Sequence, residues 1–142
     1  MDNNNILSAS VDFNIRFSEV DSMQIVWHGA YALYAEDARE AFGTKYGIGY
    51  LDIYGAGFYA PIVDLQFSYK SPLVYGDRAR TVITYIPTAA AKIQFEYEIL
   101  NLTRQQTAAV GRTTQVFLDK KYQLMLYAPD FYQTWKTKHG LI

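Results

Sequence analysis

In the stretch Glu19–Phe42, EVDSMQIVWHGAYALYAEDAREAF, an acidic residue, a histidine and a glycine stand just upstream of the strongest helical pattern in the chain. Asp21 carries a carboxylate able to act by covalent attack or by proton abstraction. His28 and Gly29 fall at the expected start of the helix. The first N–H groups of a helix have no partners within it and carry partial positive charge, so they favour an anion or a developing oxyanion. Asp21 lies on the approach to that end.

From Tyr31 onward, Tyr31, Tyr34, Ala35, Ala38, Ala41 and Phe42 recur at helical spacing, while Glu36, Asp37, Arg39 and Glu40 fall elsewhere on the wheel. The spacing predicts an amphipathic helix from about His28 or Gly29 to Lys45, with Gly43 or Gly47 near its end. Its many alanines favour the helix and let a sheet approach its backbone closely.

A chain of 142 residues predicts one domain, able to bury a core without staples. Half the residues are hydrophobic and 13 are tyrosine, an excess suited to half-wet surfaces, ligand tunnels and subunit interfaces. The net charge of −1, without a basic run, gives no electrostatic case for nucleic acid as a partner. The absence of cysteine excludes disulfides and thiol chemistry, and fits a reducing compartment. MDNNNILSAS lacks the features of a secretory signal and no apolar run is long enough to span a bilayer, so a cytoplasmic protein with no membrane partner is expected.

Residues 1–10 read as a loose leader. Val11, Phe13, Ile15 and Phe17 then alternate with polar residues as a half-buried strand. After the helix, YGIGYLDIYGAG, with glycines at 47, 49, 55 and 57, reads as an irregular connection. From Phe58 a second strand places Val63, Leu65, Phe67 and Tyr69 on its buried face, with Pro61 near its beginning. SPLVYGDR is a turn before the strand Ala79–Ile86, and Pro87–Ala91 is the next. Ile93, Phe95, Tyr97 and Ile99 alternate cleanly in an antiparallel strand. Thr107–Leu118 is a last long strand in which Gly111 marks a bulge or a close approach, and a helical tail covers 129–142. One strand, one long helix and four consecutive strands in hairpin connection predict an α+β architecture, a single antiparallel sheet of about five strands wrapped around a central helix.

This order, with the spacing inside EVDSMQIVWHGAYALYAEDAREAF, resembles the hotdog-fold acyl-CoA thioesterases of the 4-hydroxybenzoyl-CoA thioesterase-like kind. SPLVYGD, Ser71 to Asp77, is similar to the proline and Gly-Asp turn of that family. Where the family has small residues after its aspartate, this chain has Ser22, Met23 and Gln24. The resemblance implies that Asp21 faces a thioester carbon as nucleophile or as base toward water, and that the main-chain N–H of His28 binds the carbonyl oxygen. Such a donor is worth roughly 100-fold to 1,000-fold in turnover. It also implies an acyl-CoA substrate, no cofactor, and a homodimer or homotetramer with sites at subunit interfaces.

The His28 imidazole reads as a packing or hydrogen-bonding group, Glu19 and Asp64 as solvated, and His139 as exposed. Two dispersed histidines predict no metal site. Trp27 and Tyr31 are candidates for an acyl pocket, and Lys70 and Arg78 for coenzyme A phosphates. Two alternatives share the fold. In an enoyl-thioester hydratase the Asp-to-His spacing is shorter, with proline before the histidine, whereas Asp21 and His28 are seven apart and Trp27 precedes. A non-catalytic acyl-thioester-binding protein would hold the carbonyl and cleave nothing.

Overall fold

The computed structural model describes residues 5–142. Strand β1 (Ser8–Asn14) leads through a single 3-10 turn at Phe17–Glu19 to helix α1 (Ala30–Tyr46). Helix α2 (Tyr50–Gly55) and the short β2 (Phe58–Tyr59) follow. Then come β3 (Ile62–Tyr69), β4 (Arg78–Ile86), β5 (Lys92–Asn101), β6 (Gln106–Val116), β7 (Leu118–Asp119) and α3 (Asp130–Lys138).

The architecture is α+β, with a five-stranded antiparallel sheet in the order β1-β4-β5-β6-β3 and a two-stranded ribbon of β2 and β7. Period-two alternation puts Ala79, Thr81, Ile83 and Tyr85 of β4 and Ile93, Phe95, Tyr97 and Ile99 of β5 inside. Against them lies α1, whose Ala30, Ala38 and Phe42 are fully buried. Gly47 ends α1 in the left-handed region (φ 73°), its N–H donating to Gly43 O, a conformation that glycine adopts without a Cβ clash.

The leader is shorter than expected, since Ser8–Ser10 pair with β4 and Leu7 is buried. The strand also stops earlier, and Phe17, expected inside, is 76% exposed on the 3-10 turn. The expected irregular connection contains α2, whose start is closed by the Asp52 carboxylate accepting from Gly49 N–H at 2.8 Å. Gly111 is a close-approach site, where a Cβ would lie 2.5 Å from the Gln66 carbonyl oxygen and 2.5 Å from the Phe67 ring.

The strands after α1 are not all linked as hairpins. β3 pairs with β6, whereas β4 lies between β1 and β5, so Lys70–Asp77 crosses one end of the sheet. That crossing is packed: Leu73 is fully buried, and the 3% exposed Asp77 carboxylate accepts from Val74 N–H at 3.0 Å and the Asn101 amide at 2.8 Å. β3 is left as an edge strand, and of its expected buried face Val63, Leu65 and Tyr69 are 60, 45 and 53% exposed.

Candidate active site

Between β1 and α1 the chain folds back on itself. Val20 bridges Val26, Asp21 N–H donates to Ile25 O at 2.9 Å, and Gln24 N–H returns to Asp21 O at 2.8 Å. Gln24 turns this small hairpin in the left-handed region at φ 67°. One carboxylate oxygen of Asp21, Oδ1, accepts from Met23 N–H at 2.8 Å. This is the local aspartate turn that short polar side chains favour. The other carboxylate oxygen accepts no hydrogen bond among the described residues.

The hairpin is tied to its surroundings on both flanks. Val26 N–H donates to Leu73 O at 2.9 Å and Ile25 bridges Val74, which fixes it to the crossing segment. Trp27 N–H donates to Glu19 O at 3.0 Å. The Glu19 carboxylate, expected to be merely solvated, accepts from Arg16 N–H at 2.8 Å and from the Tyr34 hydroxyl at 3.0 Å. The 3-10 turn folds it back toward α1 instead of leaving it on an extended segment beside Asp21. Burial raises the Tyr34 hydroxyl pKa far above its ordinary value, and the Glu19 hydrogen bond adds to the shift.

At the start of α1 two peptide planes are held by their carbonyls. Trp27 O accepts from Ala30 N–H at 3.0 Å, and His28 O accepts from the Tyr69 hydroxyl of β3 at 3.3 Å. Because N–H and C=O are opposed across a trans peptide, these bonds also set the directions of the His28 and Gly29 N–H groups. Neither N–H has an acceptor among the described residues. The indole of Trp27, 44% exposed, lies directly over Gly29 and edge-on to the His28 ring at 5.6 Å. A Cβ on residue 29 would collide with it.

The other candidates divide. Tyr31 is 3% exposed and packs on Tyr34, Phe67 and Tyr69, so it belongs to the core below the site, and burial raises its pKa. Lys70 is exposed one residue past Tyr69. Arg78 lies at the same end of the sheet but three strands away, 3.7 Å from the Asp12 carboxylate that Arg80 grips at 2.6 and 3.0 Å. His139, expected to be exposed, is half-buried at the opposite end of α1, where its ring nitrogen lies 3.2 Å from Tyr46 O. Among the described residues no three His, Asp or Glu side chains cluster as metal ligands, and no helix is long and apolar enough to cross a membrane. Sequence reasoning missed Tyr69 as the residue that pins His28, although its place on the inward alternation of β3 was visible.

The model of the Thioesterase-like superfamily matches residues 15–135. The chain belongs to this family. It is 36% identical over 91 residues to the "Putative acyl-CoA thioesterase YneP" of Bacillus subtilis, covering 63% of this chain and 65% of that one. It is 29% identical over 113 residues to the chloroplastic acyl-acyl carrier protein thioesterase ATL3 of Arabidopsis thaliana, covering 80% of this chain and 60% of that one. The match thus spans just under two thirds of these relatives' own lengths. Among solved structures, a DHNA-CoA thioesterase from Staphylococcus aureus superposes with a TM-score of 0.81 at 24% identity, covering 94% of this chain and 92% of that one. That likeness establishes the hotdog fold.

Proposed function

We propose that the chain hydrolyses the thioester of an acyl-CoA, releasing a carboxylic acid and coenzyme A, with Asp21 as nucleophile or general base and the His28 N–H as oxyanion donor. The observation that carries this reading is the pair of fixed N–H groups at His28 and Gly29, without acceptors among the described residues, just past the hairpin that carries the Asp21 carboxylate. Donors held in place before reaction lower the barrier because no reorganisation is needed as charge develops on the carbonyl oxygen. By one route Asp21 attacks the carbonyl carbon, expels the coenzyme A thiolate and leaves an anhydride that water cleaves. By the other, Asp21 takes a proton from the water that attacks. Both give one acid and one thiol per water consumed. The names of the similar proteins, thioesterases of acyl-CoA and of acyl carrier protein, support the reaction class.

Exposed Lys70, next to Tyr69, is the better placed of the two candidate phosphate contacts, since Asp12 already engages Arg78. Assembly as a homodimer, or a dimer of such dimers, completes the proposal. The free edge of β3 and its exposed Val63, Leu65 and Tyr69, with Leu33 of α1 at 58%, suit addition of a second copy of the same strand.

Thiol release from a panel of acyl-CoA esters tests the reading. The wild type is expected to liberate coenzyme A and Asp21→Asn to lose that activity while keeping the fold. Wild-type turnover in the variant sinks the assignment. Tight acyl-CoA binding by the wild type without thiol release would favour the non-catalytic alternative.

A further inference from the structure

Two cavities lie along α1. The smaller, about 150 Å³, runs between α1 and β3, with Ala32, Leu65 and Tyr97 among its walls. The larger, about 720 Å³, opens where the C-terminal half of α1 faces α2 and β2, and its apolar lining includes Phe42, Ile48, Ile53, Phe58, Ile93 and Phe95. Glu36 and Arg39 line both. Gly29, Ala32, Glu36, Arg39 and Gly43 are spaced by three or four residues and therefore form one stripe of the helix. At 1.5 Å per residue the stripe extends about 10 Å from Gly29 to Glu36 and about 21 Å to Gly43.

We propose that the middle of this stripe, from Ala32 to Arg39, and the larger cavity beyond it form the bed of a long acyl chain, so that the substrate class is the long-chain acyl thioester. The Trp27 indole covers the stripe at Gly29 and the Gly49 backbone covers it at Gly43. The inference rests on the thioester carbonyl sitting at the start of α1, as in the function proposed above. The methylenes then follow the groove beside Ala32, pass the Glu36–Arg39 pair and end in the larger cavity. An extended chain advances about 1.2 Å per bond, so 21 Å corresponds to an acyl group of roughly sixteen carbons. A chain of roughly eight carbons stops short of the ion pair and leaves the larger cavity empty.

The ion pair stands where the two cavities meet, and it is poorly satisfied. Arg39 bonds Glu36 through Nη2, but its buried Nε has no acceptor among the described residues. A buried charged donor without an acceptor is costly, so the guanidinium gives way readily when a chain presses past it. The Glu36 side chain is 49% exposed and is free to follow the arginine outward.

Chain-length profiles test the inference. Thiol release from saturated acyl-CoA esters of about four to eighteen carbons is expected to show kcat/KM rising by roughly threefold to fourfold per added methylene until the larger cavity is filled. Ile53→Trp, which narrows that cavity, is expected to cut kcat/KM for the longest esters at least tenfold relative to the shortest. Thr44→Trp, at an exposed position on the cavity rim, tests the same point without disturbing the core. A profile that peaks at roughly eight carbons or fewer, or one that both tryptophans leave unaltered, overturns the proposal. Displacement of dansyl-undecanoic acid by palmitate gives a readout independent of turnover. Should the wild type hydrolyse no ester, the function proposed above falls, while palmitate binding that the tryptophans abolish still supports the chain bed. Absence of that binding overturns it.

Discussion

Tyr69→Phe isolates the contribution of one hydroxyl to the geometry at the start of α1. The phenol holds His28 O at 3.3 Å, a long bond from a residue 53% exposed, so its net worth lies toward the low end of the range for neutral hydrogen bonds, about 0.5–1 kcal/mol. If that energy serves to aim the peptide plane, turnover falls by about twofold to fivefold. Total loss of an oxyanion donor would cost roughly 100-fold to 1,000-fold, but here the neighbouring plane remains held by Ala30 N–H on Trp27 O at 3.0 Å. The phenyl ring keeps its edge contact with Tyr31 at 4.9 Å, so the melting temperature is expected to change by no more than about 2–4 °C. Steady-state thiol release with a good acyl-CoA ester, kcat and KM taken separately, is the assay. The expected result is a lower kcat at nearly constant KM. An unchanged kcat would show that the helix alone fixes the plane, and a drop beyond about 100-fold would mean that the phenol itself takes part in the reaction.

Two further predictions concern the supports of the site. Glu19→Ala removes the acceptor of the buried Tyr34 hydroxyl and of Arg16 N–H; it is expected to destabilise by about 1–3 kcal/mol, measured by urea unfolding. Part of that loss should return in the double variant with Tyr34→Phe, which removes the stranded hydroxyl, and no recovery would show that the Glu19–Tyr34 bond is not the support. Alkaline pH acts on the buried phenols: burial pushes Tyr97 up to about 12 and raises Tyr31, Tyr34, Tyr85 and Tyr132 as well. Groups whose folded pKa is raised stabilise in full below their unfolded pKa of about 10, and that stability is lost as pH rises toward the folded values, at about 1.4 kcal/mol per pH unit for each phenol. Urea unfolding between about pH 8 and pH 11.5 should therefore show a steep fall above pH 10, shallower by one proton in Tyr97→Phe; an identical slope in the two proteins would refute the assignment.

Much of the frame of the candidate site was legible in the chain because its determinants are local. Helical spacing from Tyr31 to Phe42 and the glycines at 29 and 47 place α1 to within a residue or two, and Asp21 and His28 were singled out as candidates by their spacing before it and by the family resemblance. The hairpin that joins them was not legible, because its left-handed residue is Gln24, a type that carries no turn signal. Glu19 was misread for a related reason. Alternation assumes an extended segment, and a 3-10 turn of three residues is too short to announce itself by periodicity. α2 was hidden because six helical residues between glycines complete fewer than two turns.

The case of β3 is different in kind, and it bears on assembly. Alternation of Val63, Leu65, Phe67 and Tyr69 correctly identified a strand with one apolar face, but period two reports only that a face is apolar, not what covers it. In the single chain α1 covers too little of it, and Val63, Leu65 and Tyr69 remain 45 to 60% exposed on an edge strand whose outer side has no neighbouring strand among the described residues. Gatekeeping charge on β3 is confined to Asp64, and Pro61 precedes the strand instead of interrupting it, so little in the sequence blunts this edge. An edge so unprotected is consistent with one that is covered in the working molecule, and a second β3, antiparallel to the first, would present the same residues in return. On that reasoning Leu65→Lys places a charge on the apolar face of each paired edge strand. It is expected to convert the proposed dimer to monomer in sedimentation equilibrium while β3 stays paired with β6, and an oligomer that survives the substitution would show that the contact lies elsewhere.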